Sequence, residues 1–268
     1  MIDYAKYQCL KVEKEGKVAV VTFNRAEALN AVNPQLHDEL EHIWTDLACD
    51  KEVNAIVLTG AGKAFSAGGD VKSMASRWRT EEGRRRALVT PAAGRRLIQN
   101  LLDVEQPIIA AVNGDAMGLG ANIALLCDII IASETARIAD THVKVGIVAG
   151  DSGAVIWPLL VGPARAKEFL MRGTRITGAE AAKMGLVNYA VPLEQVLPKA
   201  KEIAQELAAG PTWAIRWTKL SVNKWLKQQV NLILDASLAY EMVTFDTEDH
   251  HEGALAFVEK RKPQFRGK

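Results

Sequence analysis

Apolar residues along the chain form short continuous runs that alternate with helical stretches. The segment 7–24, "YQCLKVEKEGKVAVVTFN", predicts two strands joined by a turn at Glu15 and Gly16. The next segment, "NPQLHDELEHIWTDLACD", predicts a helix with Asn33 as its cap, Pro34 in its first turn and one apolar face. The runs "NAIVLTG" and "PIIAAVNG" end in glycine and predict buried strands.

The pattern becomes mostly helical after Pro163, where several helical stretches stop near glycine. The basic stretch "RWRTEEGRRR", residues 77–86, predicts a solvated, mobile loop, with a lid over a ligand as the alternative. These patterns predict an α/β fold. We expect an α/β core over residues 1–195 and a helical region over residues 196–268.

The composition excludes several classes of protein. The 268 residues carry a formal net charge of +1, with 49% hydrophobic and 24% charged residues, so nothing indicates a nucleic-acid partner or an anionic membrane. No apolar leader opens the sequence, and the most apolar stretch is broken by asparagine and aspartate, so we expect a cytoplasmic protein without a membrane segment. Three scattered cysteines predict reduced core residues.

Two glycine-rich turns carry the first candidate chemistry. They are "AFSAGGD", residues 64–70, and "NGDAMGLGAN", residues 113–122, and each follows an apolar strand. Glycine lets a backbone approach a ligand closely, so one N–H from each turn could bind the same oxygen as an oxyanion hole. The alternative is that each turn merely connects two elements.

Several longer motifs resemble the crotonase superfamily, the enoyl-CoA hydratases and isomerases. They are "RAEALNAV", "AIVLTGAGKAFSAGGDVKSM", "QPIIAAVNGDAMGLGANIALLCDIIIAS", "GTRITGAEAAKMGLVN" and "EGALAFVEKRKPQF". The resemblance covers nearly the whole chain. It implies a spiral of ββα units followed by a helical trimerisation region, and a homotrimer or a dimer of trimers.

The resemblance also assigns site residues. It places the oxyanion-hole N–H groups on Gly69 and on Leu119, where the family commonly has glycine. It implies an acyl-CoA substrate, with coenzyme A as part of that substrate and no tightly bound cofactor. The residues expected to contact coenzyme A, the last two of them from a neighbouring subunit, are Ala28, Leu29, Ala67, Gly68, Lys72, Phe257 and Lys260.

The chain departs from the family at its acid/base positions. Family hydratases use two glutamates, and those positions fall here on Asn122 and His142. An amide cannot transfer a proton near neutral pH, whereas an imidazole, with an ordinary pKa of about 6.5, can. We therefore expect His142 to act as the base of a hydratase/isomerase-type enzyme, oriented by Asp151.

Three alternatives remain open. The spacing of His142 and Asp151 resembles the 6-oxocamphor hydrolase type, in which a base activates water to cleave a carbon–carbon bond of a β-dicarbonyl compound. The pair could instead be structural, with a buried histidine and Asp151 as a helix cap. The chain could also be a catalytically idle scaffold.

The remaining histidines have no third ligand nearby in the sequence, so we expect no metal. His250 and His251 are expected as cap and surface residues, and Asp115 as a turn cap.

Overall fold

The computed structural model describes residues 2–268, and they form ten strands and ten α-helices. The strands are β1 (Leu10–Glu15), β2 (Val18–Phe23), β3 (Ala55–Gly60), β4 (Ala64–Ser66), β5 (Ile108–Val112), β6 (Asp115–Met117), β7 (Ile129–Ser133), β8 (Arg137–Ala139), β9 (Ile176–Thr177) and β10 (Tyr189–Val191). The helices are α1 (Pro34–Cys49), α2 (Val71–Arg77), α3 (Glu81–Asp103), α4 (Leu119–Leu125), α5 (Gly153–Val161), α6 (Pro163–Arg172), α7 (Gly178–Lys183), α8 (Leu193–Ala209), α9 (Thr212–Phe245) and α10 (Glu248–Val258). This mixture confirms the predicted α/β class.

The larger sheet has six strands in the order β1-β2-β3-β5-β7-β10. Only β1 and β2 pair antiparallel, which confirms the predicted hairpin, and the other neighbours are parallel. The central strands β3 and β5 are buried throughout, as continuous apolar runs predict.

Helix α8 covers one face of this sheet and belongs to the core. It buries four small residues against strands β2, β3, β5 and β7. The expected boundary at residue 195 falls inside this helix, and the division into a core and a helical region stays a prediction. The four buried residues are Val196, Ala200, Ala204 and Ala208.

The smaller sheet has the order β4-β6-β8-β9. Strands β4, β6 and β8 run parallel to one another, whereas β9 is antiparallel to β8. The carboxyl ends of three parallel strands therefore lie along one edge. In α/β proteins, ligands commonly bind at such an edge.

Helix α1 begins where the sequence predicts. The Asn33 side chain accepts a hydrogen bond from the Leu36 N–H at 2.9 Å, and Pro34 occupies the first turn. The predicted apolar face is buried in the core, including Leu40 and Trp44, both with no exposed surface.

The basic stretch 77–86 is not a loop. Helix α2 ends at Arg77, and α3 begins at Glu81 with Thr80 as its cap, accepting from the Gly83 N–H at 3.0 Å. The sequence signal was misleading because the buried face of α3 starts only at Gly94, so the first turns carry no apolar stripe.

Helix α9 spans 34 residues and leaves an apolar surface uncovered. Trp213, Trp217, Trp225 and Leu232 are each more than half exposed, whereas Leu220 is partly buried. These residues, the apolar face of α9, fit the expected subunit contact. Among the described residues, no helix combines the length and the apolar character needed to cross a membrane.

Candidate active site

The candidate site lies where β4, β6 and β8 end. The turn after β4 contains Gly68 and Gly69, and the turn after β6 contains Gly118 and Leu119. The turn after β8 leads into a short 3₁₀ helix that begins at His142. Parallel pairing of the three strands thus brings three separate motifs to one edge of the sheet.

The two glycine-rich turns touch each other. A Cβ atom on Gly68 would lie 2.6 Å from the Met117 carbonyl oxygen and 3.5 Å from the Gly118 Cα, so only glycine fits at Gly68. Gly68 also has a φ of +81°, a conformation that glycine adopts readily. The close contact explains the glycines and brings Gly69 and Leu119 into adjoining turns.

The N–H of Gly69 is not used by the surrounding backbone bridge. The Val32 N–H donates to the Gly68 carbonyl at 2.7 Å, and the Asp70 N–H donates to the Val32 carbonyl at 3.1 Å. This bridge uses the groups on either side of Gly69, so the N–H of Gly69 faces away from Val32. It can therefore donate to a ligand.

The N–H of Leu119 is available for a different reason. Leu119 is the first residue of α4, and the first N–H groups of a helix have no carbonyl partner one turn earlier. Gly118 precedes it with a φ of +50° and donates its own N–H to Ala139 at 2.9 Å, which ties this turn to the end of β8. Leu119 is 7% exposed, and its side chain belongs to the hydrophobic core.

His142 is held between two carboxylates. Its Nδ1 lies 2.6 Å from Asp140 Oδ1, and its Nε2 lies 3.0 Å from Asp151 Oδ2. The ring edge also faces the turn of Gly118 and Leu119, because a Cβ on Gly118 would lie 3.4 Å from His142 Cε1. The expected meeting of His142 and Asp151 therefore occurs, but Asp140 holds the other ring nitrogen.

Asn122 fixes both carboxylates from α4. Its Nδ2 donates to Asp140 Oδ2 at 3.0 Å and to Asp151 Oδ1 at 2.8 Å, while its Oδ1 accepts from Trp157 Nε1 at 3.0 Å. The side chain is completely buried. At a position where the resemblance predicts a glutamate, this chain thus has an amide whose nitrogen and oxygen both form hydrogen bonds.

The charges of this cluster favour a protonated imidazole. Burial opposes protonation of His142, but the charges of Asp140 and Asp151 and their hydrogen bonds outweigh it and raise its pKa well above the ordinary value. Burial would raise the pKa of Asp140, yet the charge on His142 and the hydrogen bonds from His142 and Asn122 lower it. The two carboxylates therefore favour the imidazolium form of His142 over the neutral ring.

Asp151 is the cluster member nearest to solvent. Its side chain is 14% exposed, against 8% for His142 and 0% for Asp140. Helix α5 begins at Gly153, and its first turn has no side-chain cap, so Asp151 is not the helix cap considered above. Its carboxylate is committed to His142 and Asn122 instead.

A further buried carboxyl group, Glu241, stands behind the cluster on α9. Burial, and then the negative charge of Asp151, raise its pKa well above the ordinary value. Its Oε2 has no hydrogen-bond partner among the described residues. This oxygen lies 2.5 Å from the position that a Cβ atom on Gly150 would occupy. Burial and the charge of Asp151 therefore favour the neutral form of the Glu241 carboxyl group.

The sequence and the fold both match known proteins. The model of the enoyl-CoA hydratase/isomerase family matches residues 13–268. A short-chain-enoyl-CoA hydratase from Clostridium acetobutylicum is 39% identical over 256 residues, covering 94% of this chain and 95% of that protein. This chain belongs to the enoyl-CoA hydratase/isomerase family. The match confirms the resemblance to the crotonase superfamily.

Solved structures of the enoyl-CoA hydratase/isomerase family share the fold. An enoyl-CoA hydratase/isomerase from Mycobacterium paratuberculosis superposes with a TM-score of 0.87 at 36% identity, covering 92% of this chain and 97% of that one. A monofunctional enoyl CoA isomerase from M. smegmatis superposes with a TM-score of 0.68 at 29% identity, covering 82% and 94%. The likeness to β-diketone hydrolases remains a hypothesis.

Four of the residues that this family would use for coenzyme A lie on one strip. The Ala67 N–H donates to the Leu29 carbonyl at 2.9 Å, which aligns Ala28 and Leu29 with Ala67 and Gly68. Leu29 is 48% exposed and has a φ of +51°. Lys72 is exposed in the first turn of the neighbouring α2.

Phe257 and Lys260 lie apart from that strip, at the end of α10. Both are exposed, and Phe257 lines a recess with Lys144 and Arg175. This recess shares no lining residue with the strip. Their expected contact with the coenzyme A of a neighbouring subunit remains a prediction.

The expectation of no metal depended on the lack of a third ligand, and the structure supplies one. Ligand atoms of Asp140, His142 and Asp151 lie within 4.8 Å of one another. The two His–Asp distances fit hydrogen bonds, so a cation there would have to replace a ring proton. The absence of a metal stays a prediction.

Sequence reasoning missed Asp140 and Glu241. Asp140 had one signal, because it is a carboxylate that stands two residues before His142. Glu241 had none, because it lies in a long amphipathic helix about 90 residues further along.

Two smaller expectations were also wrong. His250 is 1% exposed, and its Nδ1 bonds to the Val145 carbonyl at 2.8 Å, whereas Thr247 caps α10. Asp115 pairs with Arg137 rather than capping its turn.

Proposed function

We propose that this protein moves a proton next to the thioester carbonyl of an acyl-CoA, as an isomerase-type member of its family, with Asp151 as the proton acceptor. The observation that carries the proposal is the position of Asp151. It is the most exposed member of a charged cluster whose imidazole, that of His142, lies beside Gly118, the residue before Leu119. Coenzyme A enters as part of the substrate.

Backbone N–H groups would stabilise the negative charge that develops on the thioester oxygen. When a proton leaves the carbon next to a thioester, the carbonyl oxygen becomes an enolate oxygen. The N–H groups of Gly69 and Leu119 would bind this oxygen, and each such donor contributes roughly 3 kcal/mol to transition-state stabilisation. Leu119 keeps its N–H although the family commonly has glycine there, because a backbone donor does not depend on the side chain.

This proposal changes the role expected for His142. A general base needs a free lone pair, but both ring nitrogens of His142 face carboxylates at hydrogen-bond distance. His142 would instead hold Asp151 in place through Nε2–H, and Asp140 would keep the imidazole protonated. His142 is then a positioning residue.

Asp151 can take the proton because each carboxylate oxygen has two acceptor sites. One site on Oδ1 is used by Asn122 and one on Oδ2 by His142, which leaves others open. In an isomerisation, Asp151 would remove a proton from C2 of a 3-enoyl-CoA. The electron pair of the broken C–H bond would form a C1=C2 double bond, while the carbonyl π pair moves onto the thioester oxygen. When the carboxylic acid returns the proton to C4, the C3=C4 pair would form the new C–H bond, the double bond would shift to C2=C3, and the carbonyl would be restored.

Hydration fits this site less well. Two positioned carboxyl groups handle water in family hydratases, and Asn122 replaces one of them. Its amide cannot donate or accept a proton in catalysis, and its hydrogen bonds to Asp140, Asp151 and Trp157 hold it in place.

A second candidate is cleavage of a β-dicarbonyl compound by water. The contact of His142 and Asp151 at 3.0 Å favours it, because such a pair could position a water molecule for attack on a carbonyl. The attacked carbonyl would become a carboxylate, and the enolate leaving group would be bound by the same two N–H groups. The two candidates therefore differ in their products.

Product analysis separates the candidates. We expect the wild-type protein to convert a 3-enoyl-CoA to the 2-enoyl-CoA, followed by absorbance of the conjugated thioester. Hydrolysis of a cyclic β-diketone to a keto acid, without isomerisation of any enoyl-CoA tested, would favour the second candidate. The absence of both reactions would leave the idle scaffold.

A further inference from the structure

A large cavity adjoins the Gly69 turn. Its volume is about 730 Å³, and it lies between α1, α2, α3 and the end of α9. Its lining includes Asp70 and Met74, and the Met74 methyl lies 2.3 Å from where a Cβ on Gly69 would be. Ligand pockets commonly measure about 300–1,000 Å³, so this cavity has room for an acyl group.

The cavity has an apolar part and a cationic part. The apolar lining includes Val32, Trp78, Met242 and Phe245. Five arginines contribute the cationic lining, and three of them come from the end of α2 and the first turns of α3. The five are Arg77, Arg79, Arg84, Arg86 and Arg96.

Two of these arginines form ion pairs with carboxylates of the protein. Arg96 pairs with Glu41 at 2.8 Å, and Arg79 lies 3.6 Å from Asp246. Such pairs are satisfied within the protein and leave little positive charge for a ligand.

The other three arginines, Arg77, Arg84 and Arg86, have one carboxylate partner between them, Glu82. Glu82 lies 3.3 Å from Arg86 and 4.0 Å from Arg77, and Arg84 forms no ion pair within residues 2–268. Four acidic residues also line the cavity, and two of them, Glu41 and Asp246, are the partners of Arg96 and Arg79. Asp70 caps α2 by accepting the Ser73 N–H at 3.2 Å, and Asp38 lies on the opposite wall, on α1.

Arg77 is the arginine best placed for a ligand. Its side chain is 20% exposed, and its Nε donates to the Ser73 carbonyl at 2.9 Å, which fixes the guanidinium. Burial, and then repulsion by Arg86, lower its pKa. The nearest ion-pair partner of this partly buried guanidinium, Glu82, is 4.0 Å away. Arg77 can therefore still donate to an anion, and its planar fork suits a carboxylate.

We propose that this cavity takes the far end of the acyl group and that this end carries a carboxylate bound by Arg77. The substrate class is then the mono-CoA thioesters of dicarboxylic acids. This inference rests on the proposed function, which puts the thioester carbonyl at Gly69, the residue next to the cavity wall. The methylene chain would pack on Trp78, Met242 and Phe245.

The anion is not expected to be a coenzyme A phosphate. None of the seven residues assigned to coenzyme A lines the cavity, and Lys72 lies outside it. A test must still distinguish the two sources, since both anions suit a guanidinium.

Calorimetry with matched thioesters makes this distinction. Succinyl-CoA and butyryl-CoA have the same number of acyl carbons and differ in the terminal carboxylate. We expect the wild-type protein to bind succinyl-CoA at least tenfold more tightly, the order of magnitude for one charge-assisted hydrogen bond. Glutaryl-CoA and pentanoyl-CoA repeat the comparison with one more methylene.

Two variants test whether Arg77 causes the preference for the thioester that carries a carboxylate. Arg77→Gln should remove most of the preference and leave the affinities for butyryl-CoA and free coenzyme A unchanged. Arg95→Gln is the matched control, because Arg95 lies on α3 outside the cavity and pairs with Asp235 at 3.1 Å. It changes the net charge equally and should keep the preference.

Two results would overturn the inference. One is equal affinity of the wild-type protein for both thioesters of a pair. The other is a loss of free coenzyme A binding in Arg77→Gln, which would assign the anion to a phosphate. Because the readout is binding, it stays independent of whether Asp151 transfers a proton.

Discussion

Replacing Asp140 by asparagine tests how the buried cluster holds its charge. Asp140 accepts from His142 Nδ1 at 2.6 Å and from Asn122 Nδ2 at 3.0 Å, using a different oxygen for each. An asparagine has only one acceptor oxygen, so its amide nitrogen must face one of these donors. We expect Asp140→Asn to lower the free energy of unfolding by about 1–3 kcal/mol, the cost of one unsatisfied buried polar group.

The substitution should also change how stability depends on pH. The raised pKa of His142 stabilises the fold below the ordinary imidazole pKa, and this contribution is lost as pH rises through the folded-state value. The lowered pKa of Asp140 stabilises the fold above the ordinary carboxyl pKa, and this contribution is lost as pH falls through the folded-state value. Asp140→Asn should remove the acid-side loss due to Asp140 and lower the pKa of His142.

Urea unfolding across the pH range, together with an NMR titration of the His142 ring, measures both effects. Asp115→Asn is the matched control, because Asp115 forms a more exposed ion pair with Arg137. Asp115→Asn should lower the free energy of unfolding by less than about 1 kcal/mol. A neutral His142 at pH 7 in the wild-type protein, or an Asp140→Asn variant of unchanged stability, would refute this account of the cluster.

Three further predictions follow from the site and the surface. The apolar face of α9 should be covered in a homotrimer or a dimer of trimers, and a monomer by light scattering at micromolar concentration would contradict this. Crotonyl-CoA hydration should be about 10² to 10⁴ slower than in a two-glutamate hydratase, since one acid/base group is replaced by Asn122; hydratase-level rates in a spectrophotometric assay would show that another group handles the water. Gly118→Ala should slow turnover on the true substrate, because the φ of +50° at Gly118 fixes the direction of the Leu119 N–H. Unchanged steady-state kinetics would remove that N–H donor from the mechanism.

Local signals made much of the fold predictable. The cap at Asn33, the proline after it and the apolar face of α1 all act within a few residues, and the helix begins there. The glycine turns were also visible, because a close approach such as that of Gly68 to Met117 leaves room for no other residue.

Contacts between distant parts of the chain were not predictable in the same way. Asn122 and Asp151 meet through the packing of α4 against the start of α5, and no local pattern encodes that contact. Asp140 was not predicted either, because the nine-residue spacing of His142 and Asp151 indicates one carboxylate on the ring and gives no sign of a second. Helix α3 was missed because its first turns gain stability from capping by Thr80 rather than from an apolar face.

The central claim is that Asp151 moves a proton beside a thioester held at Gly69 and Leu119. Exchange of the C2 protons of acyl-CoA thioesters with deuterium from D₂O, followed by NMR, measures that step without a need for product formation. We expect the wild-type protein to catalyse the exchange and Asp151→Asn to slow it by about 10² to 10⁴. The Asp151→Asn variant should keep its affinity for the thioester and have a melting temperature like that of the Asp115→Asn control. Undiminished exchange in a folded Asp151→Asn protein would contradict the account.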